Sequence, residues 1–224
     1  MQKRTPLYEE HLALGAKMVD FGGWAMPVNY GSQVEEHRTV RSDAGMFDVS
    51  HMTIVDVSGA NSEGFLRHVL ANDVKRLSEN QALYSLMLNE TGGIIDDLIV
   101  YKLKDRYRCV FNGATESAVR SWITGFKSED VVLNFSRMVM IALQGPRAVE
   151  SLLSFESISG LEQLKSFFSL QFGSWLIART GYTGEDGFEI MFKNSKVDEI
   201  LNYIVNNEIK PCGLGSRDTL RLEA

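Results

Sequence analysis

The order of apolar and polar residues predicts two similar halves, each with a strand, a turn containing glycine and an amphipathic helix. In the first half, the apolar run 54–59 leads into helical spacing of large apolar residues across 65–70. In the second half, the run 140–145 leads through Pro146 into the same spacing across 149–153. The chain therefore carries a weak internal repeat.

Hairpins follow each copy of this repeat. Residues 82–88 and 94–103 form one pair of strand-like runs, and 174–178 and 188–192 form another. Short connections between strands favour antiparallel pairing, so the pattern predicts an α+β fold and not a βαβ series. Two further helices are expected, at about 115–126 and about 197–206, from apolar residues spaced three and four apart.

Two adjacent carboxylates interrupt the apolar run that follows Gly92 and Gly93. Neighbouring side chains of a strand point to opposite faces, so one of Asp96 and Asp97 faces inward and the other faces solvent. An inward carboxylate costs several kcal/mol, on the order of the burial penalty of an unpaired ion, unless it is paired, protonated or exposed to a cavity. The pair is therefore a candidate site, with an ion pair or a turn cap as the alternative.

Composition narrows the function classes. The 224 residues carry a formal net charge of -6 and contain no cluster of Lys and Arg, which argues against nucleic-acid binding. No run approaches the roughly 18 apolar residues of a membrane span, and the N-terminus lacks a signal-peptide pattern, so a cytoplasmic location is expected. Cys109 and Cys212 are predicted to be buried thiols, and the four histidines show no metal-ligand spacing.

Several motifs together resemble the aminomethyltransferase (T-protein) family of the glycine cleavage system. In the family's order they are 5–8 (TPLY), 18–27 (MVDFGGWAMP), 45–52 (GMFDVSHM), 92–101 (GGIIDDLIVY), 179–189 (RTGYTGEDGFE) and 213–224 (GLGSRDTLRLEA). The resemblance covers essentially the whole chain but only the front part of the family. It thus implies a truncated or split member that lacks the family's C-terminal β-barrel domain. Such a member is expected to show weak or no turnover alone and impaired folate binding.

The resemblance implies a folate-binding domain made of two related subdomains, each an antiparallel sheet with helices. Residues 1–50 and 138–224 are expected to form the first and residues 51–137 the second. It also implies transfer of a methylene group, with release of ammonia, from an aminomethyl unit on the lipoyl arm of an H-protein to tetrahydrofolate, the co-substrate. No metal, nucleic acid or membrane partner is implied.

The resemblance also implies roles for individual residues. Asp97 corresponds to the family's catalytic carboxylate and is therefore expected to be the inward one. Asp96 then faces the other way as an ion-pair or turn residue. Folate contacts are implied for Met52, Tyr84, Tyr101, Asn112, Tyr182, Glu189 and Arg217. Five of these have a plainer interpretation: core packing for Met52, Tyr84 and Tyr101, a turn for Asn112, and for Arg217 an ion pair with Asp218 or Glu223. Ser216 is predicted to cap a helix that starts beside Arg217.

Two other functions stay open from the sequence. One is the folate domain of a sarcosine or dimethylglycine dehydrogenase, but such domains follow a flavin domain and nothing flavin-like precedes Thr5. The other is a non-catalytic folate-binding assembly factor of iron-sulfur maturation. Those proteins carry a Lys-Gly-Cys-Tyr type of motif, whereas this chain has Pro211-Cys212-Gly213-Leu214 followed by Arg217 and Asp218.

Overall fold

The computed structural model describes residues 2–193 and 209–224 and divides the chain into two compact units. Unit 1 comprises Met1–His51 and Met138–Ala224, and unit 2 comprises Met52–Arg137. The helix predicted at about 197–206 lies outside the described residues. The role of these units as folate-binding subdomains stays a prediction.

Unit 2 is a five-stranded sheet with two helices on one face. Its elements are β5 (Thr53–Ser58), α3 (Ser62–Val69), a 3-10 turn (Val74–Arg76), β6 (Ala82–Leu88), β7 (Ile94–Lys102), β8 (Tyr107–Phe111), α4 (Glu116–Gly125) and β9 (Val132–Ser136). The strands are ordered β6-β7-β8-β5-β9, and all neighbours are antiparallel. The apolar faces of α3 and α4 pack with alternate residues of β5, β7 and β8 in one core.

Unit 1 contains a three-stranded and a six-stranded sheet within its described residues. Its elements are β1 (Lys3–Arg4), α1 (Tyr8–Ala13), β2 (Lys17–Phe21), β3 (Trp24–Asn29), α2 (Gln33–Ser42), β4 (Gly45–Asp48), β10 (Val139–Gln144), α5 (Ala148–Phe155), β11 (Ser169–Phe172), β12 (Trp175–Ala178), β13 (Gly187–Phe192), β14 (Lys210–Pro211) and α6 (Leu214–Glu223). The sheet orders are β1-β3-β2 and β11-β12-β13-β10-β4-β14. The core of this unit lies between one face of the larger sheet and α5.

The predicted repeat is confirmed as β5 followed by α3 and β10 followed by α5. A glycine with positive φ joins strand to helix in both copies, with φ +103° at Gly59 and φ +133° at Gly145. A Cβ on Gly59 would lie 2.1 Å from the carbonyl oxygen of Asp130, and one on Gly145 would lie 2.3 Å from that of Asp43. Both the backbone conformation and the space around it therefore require glycine at these turns.

The hairpin predictions and the helix expected at 115–126 are confirmed by β6–β7, β12–β13 and α4. The pattern did not predict the small sheet β1-β3-β2, because β1 has only two residues and pairs in parallel with a strand some twenty residues away. Within the described ranges, no helix has both the length and the apolarity needed to cross a bilayer.

Candidate functional site

The two aspartates of β7 lie on opposite faces of the unit 2 sheet, but the buried one is Asp96. Asp96 is 4% exposed and shares its face with Leu98 and Val100, which belong to the core under the helices. Asp97 is exposed on the other face. The expectation that Asp97 is the inward carboxylate is therefore wrong. The alternation alone could not decide this, because apolar residues occupy both faces of β7.

Asn112, the residue after β8, binds both carboxylates. Its backbone N–H donates to Asp96 Oδ2 at 3.0 Å and its side-chain Nδ2 donates to Asp96 Oδ1 at 2.8 Å. The same Nδ2 donates to Asp97 Oδ1 at 3.0 Å. Burial raises the pKa of Asp96, and the charge of Asp97 acts in the same direction, while the hydrogen bonds from Asn112 oppose both effects.

Tyr84 completes the surroundings of Asp97. Its side chain is 48% exposed, and its hydroxyl donates to Asp97 Oδ2 at 3.2 Å. Burial and the neighbouring charge of Asp97 raise the pKa of Tyr84. No Lys, Arg or His forms an ion pair with Asp97 anywhere in residues 2–193 and 209–224. Asp97 is thus an exposed carboxylate that two neutral donors orient.

The structure does not bring all the predicted residues of unit 2 into this group. Tyr101 lies four residues further along β7 on the same face as Asp97, but its side chain is fully buried. Met52 is half-buried and lies directly before β5. The three residues that meet are Tyr84, Asp97 and Asn112.

A second group of predicted residues lies in unit 1, at the start of α6. The guanidinium of Arg217 lies over the ring of Tyr182, 4.2 Å from its centroid. Burial, together with the charge of Arg221, lowers the pKa of Arg217 to about 10. The alternative ion pairs are not formed, since Asp218 binds Arg221 and Glu223 binds Arg41 and His37. No described carboxylate forms an ion pair with Arg217.

The helix that carries Arg217 begins differently from the prediction. It starts at Leu214 with Gly213 as the N-cap residue, so the expected cap at Ser216 is wrong. Ser216 lies inside the first turn, where its hydroxyl donates to the Gly213 carbonyl and to Glu36. Glu36, 7% exposed, also accepts from the backbone N–H groups of Gly213 at 2.8 Å and Tyr30 at 2.6 Å. This carboxylate fastens the start of α6 to the turn before α2.

Glu189, predicted to contact the pterin ring of folate, is 6% exposed on β13 of unit 1. The hydroxyl of Thr180 donates to its Oε2 at 2.6 Å. The carboxylate therefore lies on the face of the sheet opposite Phe188 and Ile190, which belong to the core.

Sequence reasoning missed His51 and Asp48, although both lie within the 45–52 motif. Asp48 is 4% exposed and accepts from His11 Nε2 at 2.9 Å, and Tyr30 bonds the other ring nitrogen of His11 at 2.7 Å. His51 is 3% exposed, and no described residue is a hydrogen-bond partner of its Nδ1. A charged residue inside the apolar run 46–49 was the signal that could have drawn attention to this network.

Comparison with known proteins identifies the class to which this fold and these groups belong. Residues 7–224 match the family model described as the GCVT N-terminal domain. Proteins named aminomethyltransferase from Pseudomonas syringae pv. tomato and Alcanivorax borkumensis are 53% and 50% identical over 100% of this chain, which covers 64% of each. The chain therefore belongs to the aminomethyltransferase family and spans about 64% of the length of these relatives.

Solved structures agree with this assignment. The glycine cleavage system aminomethyltransferase T of Bartonella henselae superposes with a TM-score of 0.95 at 35% identity, over 100% of this chain and 63% of that one. The heterotetrameric sarcosine oxidase of Corynebacterium sp. U-96 gives a TM-score of 0.60 at 13% identity, over 98% of this chain and 96% of that one. This second likeness shows the fold alone.

Proposed function

We propose that this chain provides the catalytic carboxylate and folate contacts of a tetrahydrofolate-dependent aminomethyltransferase of glycine cleavage. In this reaction the methylene of an aminomethyl group, carried on the lipoyl arm of an H-protein, passes to tetrahydrofolate and ammonia is released. The observation that carries the proposal is Asp97, an exposed carboxylate that Tyr84 and Asn112 orient and that no described cation neutralises.

The chemistry requires such a group. As the aminomethyl carbon separates from its heteroatom and the folate nitrogen attacks, positive charge develops on an iminium-like carbon and on the folate nitrogens. A fixed carboxylate stabilises that charge more than it stabilises the neutral ground state, which typically contributes about a hundred- to thousandfold in rate. The hydrogen bonds of Asp97 hold it in place before the charge appears.

We assign folate contacts in unit 2 to the residues around Asp97. The half-exposed ring of Tyr84 offers an aromatic face to a flat heterocycle, and the amide of Asn112 suits alternating donors and acceptors. Met52 and Tyr101 are proposed as apolar neighbours of the same ligand.

In unit 1 the proposed folate contacts are Tyr182, Glu189 and Arg217. Arg217 lies over an aromatic ring and has no carboxylate partner among the described residues. Such an arginine suits a carboxylate ligand, because bidentate guanidinium–carboxylate pairing is strong and directional. Glu189 suits a ligand edge with two N–H donors. We also place the reaction in the cytoplasm, where the two free, buried cysteines fit a reducing compartment.

The test is tetrahydrofolate binding by calorimetry and turnover with an aminomethyl-loaded H-protein. It uses the 224-residue chain and a chimera that continues into the remaining third of the Pseudomonas syringae relative. We expect the chimera to bind folate and turn over, and Asp97→Asn to lower kcat by about a hundredfold or more. Asp105→Asn, an equally conservative change at an exposed carboxylate of unit 2, should leave kcat unchanged.

The outcomes separate the functions. A chimera that bound no folate would contradict the proposal. Folate binding without turnover, unaffected by Asp97→Asn, would favour the non-catalytic assembly factor instead.

A further inference from the structure

We infer that Asp96 is a positioning residue, which fixes the catalytic carboxylate of Asp97 through the side-chain amide of Asn112. The inference rests on the proposed function, since it concerns how Asp97 is held for that reaction. It assigns a purpose to a buried carboxylate for which core packing gives no reason.

The first step is the cost of Asp96. It occupies a position on the core face of β7 where the stripe of Leu98 and Val100 would be continued by an apolar side chain. A carboxylate at 4% exposure loses most of its hydration, and burial accordingly raises its pKa. No described Lys, Arg or His forms an ion pair with Asp96, so the ion-pair reading of this residue does not apply.

The second step is what its two oxygens bind. Oδ2 accepts the backbone N–H of Asn112, and Oδ1 accepts from the side-chain Nδ2 of the same residue. The side chain of Thr115 also contributes a hydrogen bond to this carboxylate. The carboxylate of Asp96 thus binds Asn112 through both its backbone and its side chain. This fixes both the position of its backbone and the rotation of its amide group, with the NH2 side turned toward β7.

The third step is the second proton of that NH2 group. An amide nitrogen has two donors and the amide oxygen has none. With one proton directed to Asp96, the other is left for Asp97, whose carboxylate Oδ1 lies at 3.0 Å and whose carbonyl oxygen lies at 3.2 Å. A flipped amide would turn its oxygen toward two carboxylates, and Asp96 makes that orientation unfavourable.

The arrangement therefore separates two tasks. Asp96 is buried and each of its oxygens accepts from a protein donor, whereas Asp97 is exposed and keeps acceptor capacity beyond its bonds to Tyr84 and Asn112. Without Asp96 the amide of Asn112 is free to rotate, and Asp97 loses one of its two orienting donors.

The experiment is a double-mutant cycle in the active chimera, with Asp96→Asn, Asp97→Asn and both together. We expect Asp96→Asn to lower kcat about tenfold, with a smaller change in KM for tetrahydrofolate, because preorganisation of the carboxylate is lost. In the Asp97→Asn background the same change should cause no further loss, because Asp96 acts only through Asp97. Thermal unfolding of each variant, with Asp105→Asn as the control, shows that the chains compared are folded.

A second variant keeps the test valid if Asp96→Asn does not fold. Asn112→Ser leaves both carboxylates and removes the bridge, so it should lower kcat by a similar factor and, like Asp96→Asn, add nothing to the loss of kcat in Asp97→Asn. The loss of its proposed folate contact should appear in KM for tetrahydrofolate. An NMR measurement on the 224-residue chain needs no turnover: the two side-chain amide protons of Asn112 should both lie downfield. Asp97→Asn should shift mainly one of them, and Asp96→Asn should shift both.

The two hypotheses fail in different ways. If the wild-type chimera neither bound folate nor turned over, the proposed function would be contradicted. If it turned over, depended on Asp97 and was indifferent to Asp96→Asn and Asn112→Ser, only the positioning role would be wrong. Equal losses from Asp96→Asn in the wild-type and Asp97→Asn backgrounds would likewise overturn it.

Discussion

Asp48 in unit 1 and Asp97 in unit 2 are both strand aspartates, but the protein treats their charges in opposite ways. Asp48 is 4% exposed and bound by His11 Nε2 at 2.9 Å and by the backbone N–H of Ser50 at 2.8 Å. Asp97 is exposed and bound by the neutral groups of Tyr84 and Asn112.

The difference distinguishes a carboxylate that serves the fold from the one that we propose to be catalytic. Burial would raise the pKa of Asp48, but the hydrogen bond and charge of His11, with the hydrogen bond from Ser50, together hold it below its ordinary value. The negative charge of Asp48 is thus stabilised by donors within the protein. The charge of Asp97 is oriented but not neutralised, so it remains available to a developing cation. Four predictions test this division, from the largest effect to the smallest.

The largest effect is expected from Asp48→Ala. Removing the carboxylate leaves the buried donors of His11 and Ser50 unpaired, and we expect the free energy of unfolding at pH 7 to fall by about 4 kcal/mol. Urea unfolding measures this. Asp97→Ala removes an exposed carboxylate and should change the same quantity by less than about 0.5 kcal/mol. Similar losses in both variants would break the comparison.

The contribution of Asp48 to the free energy of unfolding also depends on pH. Because its folded pKa is depressed, its contribution is complete above the unfolded value of about 4 and is lost as the pH falls through the folded pKa. The comparison at pH 7 is therefore made where the contribution is at its full size.

The division between these two aspartates was only partly predictable from the sequence. The repeat and the β6–β7 hairpin follow from local features, namely the spacing of Phe65, Leu66 and Val69 and the Gly92-Gly93 turn. Which aspartate of β7 faces the core depends on which face the helices cover, and that is decided by packing across the unit. The wrong prediction of a cap at Ser216 has a similar cause. The backbone N–H of Gly213, at the start of α6, donates to Glu36, which is 177 positions away in the chain.

The second prediction concerns His51, the other buried ionisable group of the 45–52 motif. Burial and then the charge of Arg217 lower its pKa from 6.5 to about 4, while Asp48 acts in the opposite direction. Between these values the unfolded chain binds a proton that the folded chain does not. The free energy of unfolding should therefore fall by up to about 3 kcal/mol as the pH drops from 6.5 to 4.

Replacing the histidine tests this attribution. In His51→Gln the part of the acid sensitivity that arises between pH 6.5 and 4 should disappear from urea unfolding curves measured across that range. His68→Gln, at an exposed histidine of unit 2, should keep the wild-type pH dependence. If the free energy of unfolding of His51→Gln depended on pH as in the wild type, another group would be responsible for the acid sensitivity.

The third prediction links Glu36, a buried carboxylate of unit 1, to the proposed folate contact of Arg217. Glu36→Gln keeps the size of the side chain but removes the charge that accepts from Gly213 and Tyr30, so we expect a loss of about 2 kcal/mol in stability. The start of α6 loosens, and with it Arg217. Tetrahydrofolate affinity should then fall by about three- to tenfold, as measured by calorimetry.

Its control is Glu35→Gln, the neighbouring exposed carboxylate of α2, which pairs with Arg38 across one turn. That change should alter stability by less than about 0.5 kcal/mol and leave folate affinity unchanged. If Glu36→Gln lost stability but kept full affinity, the carboxylate would serve the fold alone.

The smallest effect is expected from Tyr84→Phe. Its hydroxyl donates to Asp97 across 3.2 Å on an exposed face, so its loss should lower kcat about three- to tenfold, in line with roughly 1 kcal/mol for a neutral hydrogen bond, and should leave stability nearly unchanged.

The effect of Asp97 on Tyr84 has a spectroscopic test. Burial raises the pKa of Tyr84, and the charge and hydrogen bond of Asp97 raise it further. In Asp97→Asn the ultraviolet titration of Tyr84, taken as the difference from a Tyr84→Phe background, should therefore shift toward the ordinary value of 10. An unchanged pKa of Tyr84 would mean that Asp97 is not held against this hydroxyl in solution. The orientation of Asp97, which distinguishes it from Asp48, would then depend on Asn112 alone.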